Sequence, residues 1–357
     1  MAHLEIQDLC FSVGDVDILR SVNLTVEEGK CVALLGPSGC GKTTTLRCVA
    51  GFVQPTSGKI SFNKESILDL PPHKRNVGLV FQDYALFPHM TVAENIAYGL
   101  QRQGVAAAEC KRRVDDAMEM VQLGALADRL PKQMSGGQQQ RVSLARAIVV
   151  QPNVLLLDEP LGALDRNLRD QMQVELKRIQ RETGTTTIIV THDQEEALSL
   201  SDHVAVMLNG QIEEIGPPAE LYSRPGSKAV MEFLGASNIL EAKVVRAEAD
   251  ESLLCLPGGL EFRVPGKQDV GSLVQIGVRP EHIVVDREKS SASANVLAGT
   301  IKEAVYKGPH AELYINSGEE KDIIVHRRIR GIPKEDTFDI GEKVFLSVEP
   351  DAVVVFK

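Results

Sequence analysis

The segment that most constrains this chain is Gly36-Pro37-Ser38-Gly39-Cys40-Gly41-Lys42-Thr43-Thr44. It fits the pattern G-x-x-x-x-G-K-[ST], and its surroundings match what that pattern requires. Val32-Ala33-Leu34-Leu35 reads as a short buried strand before it, and Thr45-Leu46-Arg47-Cys48-Val49-Ala50 as a helix after it. Glycines let the backbone wrap tightly, so successive N–H groups and the helix N-terminus face phosphate oxygens. Lys42 is suited to neutralising β- and γ-phosphates, and the Thr43 hydroxyl to holding Mg²⁺. The expected ligand is a nucleoside triphosphate.

Composition narrows the class. A length of 357 residues predicts two or three domains. The net charge of −10 argues against a general nucleic-acid binder. Six scattered cysteines with no CxxC pair read as reduced thiols of a cytosolic protein. The N-terminus, Met1–Ile6, alternates like a strand and lacks the features of a signal peptide. No apolar run approaches the roughly 20 residues needed to span a bilayer. Work at a membrane would therefore depend on a partner.

Ahead of the phosphate loop, Leu4–Leu9 and Ile18–Val26 read as antiparallel strands joined through Gly14-Asp15. After it, Lys59–Phe62 and Val77–Phe81 are strand-like, the latter ending at Gln82. That amide could ligate a metal, position a water or be an ordinary loop residue. Residues 88–152 are mostly helical by pattern. Thr91 and Glu94 have the spacing of a capping box. Val114, Ala117, Met118 and Val121 mark one buried helix face, with Lys111-Arg112-Arg113 on its solvated side.

Met134-Ser135-Gly136-Gly137-Gln138 reads either as a Gly-Gly turn capped by Ser135 or as a second anion-binding helix start. Either one chain holds two nucleotides, or two chains share nucleotides between unlike loops. Val154–Leu157 then reads as a buried parallel strand ending in Asp158-Glu159-Pro160. Such a strand presents its last side chains at the ligand-binding edge of the sheet. Asp158 suits the outer coordination of Mg²⁺, and Glu159 suits a base or orienter for attacking water. Another strand, Thr185–Val190, ends in Thr191-His192-Asp193, which brings a histidine to the same edge.

Taken together, Gly36–Thr44, Gln82, Met134–Gln138, Val154–Glu159, Ala163–Asp165 and His192 resemble the motifs of the ATP-binding-cassette ATPases, in order, over residues 1–235. The resemblance implies an α/β fold: a RecA-like P-loop core, an antiparallel β subdomain and a helical subdomain at about 88–152. It also implies ATP and Mg²⁺ as ligands, with Thr43, Gln82 and Asp158 at the metal. Gln82 would contact Mg²⁺ and the transporter, and Ser135-Gly136-Gly137-Gln138 would grip the γ-phosphate bound to the opposite subunit. Glu159 would be the catalytic carboxylate, Asp165 the D-loop aspartate and His192 the switch histidine. A head-to-tail homodimer sandwiching two ATP molecules answers the puzzle of the two loops.

Two departures stand out. Met134 replaces the usual leucine, a volume-conserving change. Val13 stands where related cassettes place an aromatic against the adenine, and Phe11 either leans over the base or fills the core beneath the hairpin.

From about Ala236 the character turns β-rich, with runs at Ile239–Val245, Leu273–Val278, Val296–Val305, Ala311–Ile315, Asp322–Val325, Val344–Val348 and Ala352–Phe356. Turn residues separate them as in a small, OB-like barrel. Gly277-Val278-Arg279-Pro280-Glu281-His282 resembles a motif in the C-terminal TOBE-like domain of importer ATPases for sugars, polyamines, ferric iron or phosphonates. The resemblance thus implies an importer subunit, peripheral at the cytoplasmic face of a bacterial inner membrane. Its partners would be integral permease subunits and, indirectly, a solute-binding protein, with no nucleic acid. Exporter ATPases and soluble cassette proteins are the alternatives.

Overall fold

The computed structural model describes residues 2–162, 164–289, 295–329 and 338–356. Its internal contacts divide the chain into two units, Met1–Leu221 and Tyr222–Lys357.

The first unit opens with the hairpin β1 (Leu4–Val13) and β2 (Val16–Val26), followed by β3 (Cys31–Leu35) and α1 (Lys42–Ala50). Next come β4 (Ser57–Phe62), β5 (Glu65–Ser66) and β6 (Val77–Val80). The helices α2 (Val92–Arg102), α3 (Ala107–Met120) and α4 (Gly136–Ile148) form the expected helical region. The chain then alternates through β7 (Val154–Asp158), α5 (Arg166–Thr183), β8 (Thr186–Thr191), α6 (Gln194–Leu200) and β9 (His203–Leu208). It continues into β10 (Gln211–Gly216) and the short α7 (Pro218–Ser223).

Two sheets result. An antiparallel one runs β2-β1-β4-β5, and a six-stranded one runs β10-β9-β3-β8-β7-β6. In the second, β9, β3, β8, β7 and β6 are mutually parallel. Its central strands are covered on both faces, by helices or by the antiparallel sheet, and so are buried on both. Accordingly Cys31–Leu35 and Thr186–Thr191 are buried along their whole length. One apolar cluster joins Leu34, Leu46, Val49 and Leu156 to Leu4, Ile6 and Leu24. The other joins Leu155, Leu157 and Ile189 to Ile96, Val142 and Met172 of the helices. Local signals act as the sequence implies: Thr91 and Ser135 each close a capping box, with Glu94 and Gln138 respectively. Within the Lys111–Arg113 run, Arg112 and Arg113 pair with Glu109 of the same helix.

The second unit carries α8 (Lys228–Phe233), β11 (Asn238–Ala247), β12 (Glu251–Cys255), β13 (Glu261–Pro265), β14 (Leu273–Val278) and β15 (Ile283–Asp286). After these come β16 (Asn295–Tyr306), β17 (His310–Asn316), β18 (Ile323–Arg328), β19 (Lys343–Val348) and β20 (Val353–Phe356). They build two five-stranded antiparallel sheets around one apolar core, β13-β12-β11-β14-β20 and β15-β19-β16-β17-β18. This is the small barrel-like architecture expected of the region, but it is made of two similar halves.

The halves show in sequence as 269–286, DVGSLVQIGVRPEHIVVD, and 339–356, DIGEKVFLSVEPDAVVVF. They show in bonding as well. The N–H of Gly271 donates to the Val244 carbonyl, as that of Gly341 does to Ile301, each at 2.8 Å. Buried Asn238 brackets the backbone of Ile324, and buried Asn295 brackets that of Arg263. Each half also gives its last strand to the other's sheet: β15 pairs with β19, and β20 with β14. Arg279, only 1% exposed, donates to the carbonyls of Met231, Gly235 and Ala236 and so ties the segment before β11 into this unit.

Among the described residues no helix is long and apolar enough to cross a membrane.

Candidate active site

The order β3-β8-β7-β6 places four parallel strands side by side, so their C-terminal ends share one edge of the sheet. The Gly36–Thr44 loop leaves β3, Asp158 and Glu159 lie at the end of β7, His192 follows β8 and Gln82 follows β6. Ligands bind open parallel sheets at that edge.

The loop has the build of a phosphate cradle. Gly39 and Gly41 adopt left-handed backbone angles, φ +83° and +107°. A Cβ at Gly41 would lie 2.6 Å from the Leu19 side chain, and one at Gly36 would lie 2.3 Å from the Met207 carbonyl. Helix α1 then starts at Lys42 with no side-chain cap and no acidic residue in its first turn. Its leading N–H groups are therefore left available to an anion. Pro37, Ser38 and Thr44 complete the loop's length, and Cys40 is buried within it. The Lys42 ammonium, 5% exposed, folds back to donate to the carbonyls of Gly36 at 2.7 Å and Pro37 at 2.9 Å.

Beside it, the Thr43 hydroxyl donates to an Asp158 carboxylate oxygen at 3.0 Å. Burial raises the Asp158 pKa, against the bond from Thr43, which lowers it. Among the described residues no cluster of three or more His, Cys, Asp or Glu side chains is arranged for a metal. Thr43, Asp158 and Gln82 are nevertheless hard oxygen donors, the set that suits Mg²⁺ when phosphate and water complete its shell.

Glu159 is held from both sides. The Gln82 amide donates to Oε2 at 3.2 Å, and His192 Nδ1 lies 3.2 Å from Oε1. Its backbone is left-handed, φ +46°, and its N–H donates to the Val190 carbonyl at 2.9 Å. A non-glycine residue kept in that region implies surroundings that enforce it.

The Gln82 segment is itself clamped to the helical region. Tyr84 and Ala85 are both left-handed, φ +61° and +43°. Their carbonyls accept from the Arg146 guanidinium at 2.9 and 2.8 Å, and Ser143 donates to Tyr84 as well. Asn95 fixes Phe87 through both its backbone N–H and its carbonyl. Arg146 and Ser143 lie on α4, which begins at the Ser135 loop, so one helix connects that loop with the Gln82 turn. Sequence reasoning did not single out Arg146. An arginine within the stretch Val142–Ile148, whose only other polar member is Ser143, is the available signal.

The remaining expected residues lie elsewhere. Ser135 caps α4 by accepting from the Gln138 N–H, and a Cβ on Gly137 would meet Leu168 of α5 at 2.9 Å. Gly136 adjoins Leu164. Asp165 caps α5 by accepting from the Leu168 N–H at 3.0 Å. Among the described residues no hydrogen bond joins Ser135–Gln138 to Gly36–Thr44. The expected Ala163 lies outside the described residues. Phe11 is partly buried against the core, whereas Val13 is 58% exposed at the hairpin tip opposite Val16, itself 65% exposed.

Comparison with known proteins agrees with this layout. The family model for ABC transporters matches residues 19–162, and that for the TOBE domain matches residues 276–356. The spermidine/putrescine import ATP-binding protein PotA of Thermobifida fusca is 46% identical, over 93% of this chain and 87% of its own length. PotA of Ruegeria pomeroyi is 46% identical over 96% and 92%. The Fe(3+) ions import ATP-binding protein FbpC of Rhizobium etli is 40% identical over 94% of each. The solved dimeric structure of MJ0796, a bacterial ABC transporter cassette, superposes with a TM-score of 0.54 at 30% identity, covering 60% of this chain and 98% of that one. The chain belongs to the ABC transporter ATPases, as the ATP-binding subunit of an importer with a C-terminal TOBE domain.

Proposed function

We propose that two copies of this chain associate head to tail, each closing the Ser135–Gln138 loop over ATP held by the other's Gly36–Thr44 loop. The observation that carries this reading is the split site. Lys42, Thr43, Asp158, Glu159, Gln82 and His192 gather at one edge, while the second anion-seeking loop makes no hydrogen bond to the first among the described residues. ATP binding would close the dimer, and hydrolysis with product release would reopen it.

Within each site the loop amides and Lys42 hold the β- and γ-phosphates. Thr43, Asp158 and Gln82 would hold Mg²⁺, which when bound neutralises phosphate charge. Glu159 accepts the proton of the water that attacks the γ-phosphorus, and the bond to the β-phosphate oxygen breaks to release ADP. Gln82 and His192 keep that carboxylate aimed. The surface around Gln82–Phe87 passes the motion to separate permease subunits, which would hold the chain peripherally at the cytoplasmic face of the membrane, with a solute-binding protein supplying cargo. Residues 1–235 form the nucleotide-binding part in this reading and 236–357 the TOBE part. PotA of Thermobifida fusca and of Ruegeria pomeroyi, named for spermidine/putrescine import, are each 46% identical, against 40% for FbpC of Rhizobium etli, and the solute we propose is a polyamine.

Glu159→Gln tests the chemistry. It should retain ATP binding, lose turnover by about 10²–10⁴, the usual worth of a general base, and leave an ATP-bound dimer on size exclusion. Near wild-type hydrolysis would remove Glu159 from the role. Uptake of labelled spermidine into vesicles carrying the permease subunits, with Fe³⁺ as comparison, tests the solute.

A further inference from the structure

The Asp165 loop and the His192 turn belong to different elements, the start of α5 and the junction of β8 with α6. One side chain reaches both. Arg169, in the first turn of α5, donates to the Leu164 carbonyl at 3.1 Å and to an Asp193 carboxylate oxygen at 3.3 Å. Its Nε faces Glu196 Oε1 at 3.9 Å, too far for a hydrogen bond. That Nε is buried and has no hydrogen-bond partner among the described residues.

Glu196 is 2% exposed. Its Oε2 accepts from the Thr191 hydroxyl at 2.7 Å, and the Thr191 oxygen accepts from the Asp193 N–H at 3.0 Å. Asp193 in turn accepts from the Glu196 N–H at 3.1 Å. Thr191 and Asp193 are the two chain neighbours of His192, so the backbone on both sides of the imidazole is tied into one network. A carboxylate this deeply buried needs partners, and removing one leaves the others mismatched. The Arg169 fork is one bond short: its Nε donor and a Glu196 oxygen already face each other. Movement of the first turn of α5 toward α6 would add a charge-assisted bond from Nε to Glu196 beside the one that Arg169 already gives Asp193.

We propose that Arg169 is a positioning residue that couples the Asp165 loop to His192. When the second copy engages the Asp165 loop, α5 shifts, Arg169 closes onto Glu196, and the His192 turn is set against Glu159. The inference rests on the dimeric reading above but concerns residues that touch neither nucleotide nor metal.

The test uses the full chain with Arg169→Met, Arg169→Lys and Glu196→Gln, singly, and the Met and Gln changes together. Arg169→Met should lower kcat by about tenfold to a hundredfold, the scale of a small misplacement of reacting groups. KM for MgATP should stay near wild type, while the melting temperature without nucleotide should fall, because Arg169 gives up its bonds to Asp193 and the Leu164 carbonyl. The double variant should be no slower than its slower parent, since residues of one network are not additive. Arg169→Lys keeps the charge without the fork and should fold normally while kcat stays low, which keeps the test open if Arg169→Met fails to fold. Wild-type kcat in either Arg169 variant, or independent effects of the Met and Gln changes, would overturn the coupling. Glu159→Gln run alongside separates the readings. If that variant still hydrolyses ATP the site assignment fails, whereas a dead Glu159→Gln beside a fully active Arg169→Met fails the coupling alone.

Discussion

His192 and Glu159 end neighbouring strands and meet with Nδ1 3.2 Å from Oε1. The Gln82 amide takes the other oxygen at the same distance, so the carboxylate is aimed by two residues from two further strand ends. Removing one support should leave the other. His192→Ala is accordingly expected to lower kcat by about 10–100-fold, less than Glu159→Gln, because it removes an orienting contact and not the proposed base. Steady-state assays should show KM for ATP little changed. A loss as large as that of Glu159→Gln would give the imidazole a direct part in the chemistry.

Thr43 is tested by Thr43→Val, which keeps the branched shape and deletes the hydroxyl bonded to Asp158. The Mg²⁺ concentration for half-maximal hydrolysis should rise by about tenfold or more, the usual cost of losing a group that ligates or orients at a metal. Titration of activity against Mg²⁺ at saturating ATP measures it. An unchanged midpoint would place the metal away from Thr43.

The cysteines should separate by reactivity. Burial pushes the Cys31 thiol up to about 12 and that of Cys48 up to about 11, so both should resist alkylation at pH 8 until the protein unfolds. Cys10 and Cys255 are partly exposed and should label first. Cys40 sits inside the phosphate loop with Sγ 3.8 Å from the Lys42 ammonium. Its alkylation should abolish ATP binding, and MgATP should protect it, as read by mass spectrometry of time-resolved labelling. Labelling of Cys40 at equal rates with and without nucleotide would contradict this placement.

The hairpin tip gives a fourth test. Phe11 packs on the core, so Phe11→Ala should lower stability by about 1–3 kcal/mol, less than for a fully buried ring. Val13 and Val16 present an exposed apolar pair without a ring face. Val13→Tyr should therefore tighten ATP binding several-fold, since base–aromatic stacking is worth about 1–3 kcal/mol. Calorimetry of both variants checks the pair of expectations. A stable Phe11→Ala protein with weakened ATP binding would assign the base to Phe11 instead.

Much of the site was readable because each part has its own local cause. A strand, a glycine turn and a helix start define Gly36–Thr44, and acidic or polar residues at strand ends define Asp158, Glu159, Gln82 and His192. The capping pairs Thr91–Glu94 and Ser135–Gln138 were equally visible. What escaped were parts defined by partners far along the chain. Arg146 and Arg169 look like ordinary helix arginines until their carbonyl and carboxylate acceptors are known. The short helices α7 and α8 are six residues each, too brief to show a helical period. Strands β12, β13 and β15 are four or five residues long and bounded by turns that blur their alternation. Val16 could have been paired with Val13 from the Gly14-Asp15 turn alone.

The exchanged strands of the second unit bear on how it is made. Strand β14 must wait for β20, which emerges from the ribosome only after the whole of the second half has been synthesised. Until then one edge of the first sheet stands open, the condition under which nascent β proteins mispair or aggregate. The first half cannot complete its own sheet, because its edge strand β14 is paired by β20 and its last strand β15 pairs with β19. Deleting Val353–Phe356 should therefore unravel β11–β14, at the far end of the unit's sequence, and not merely trim its own end.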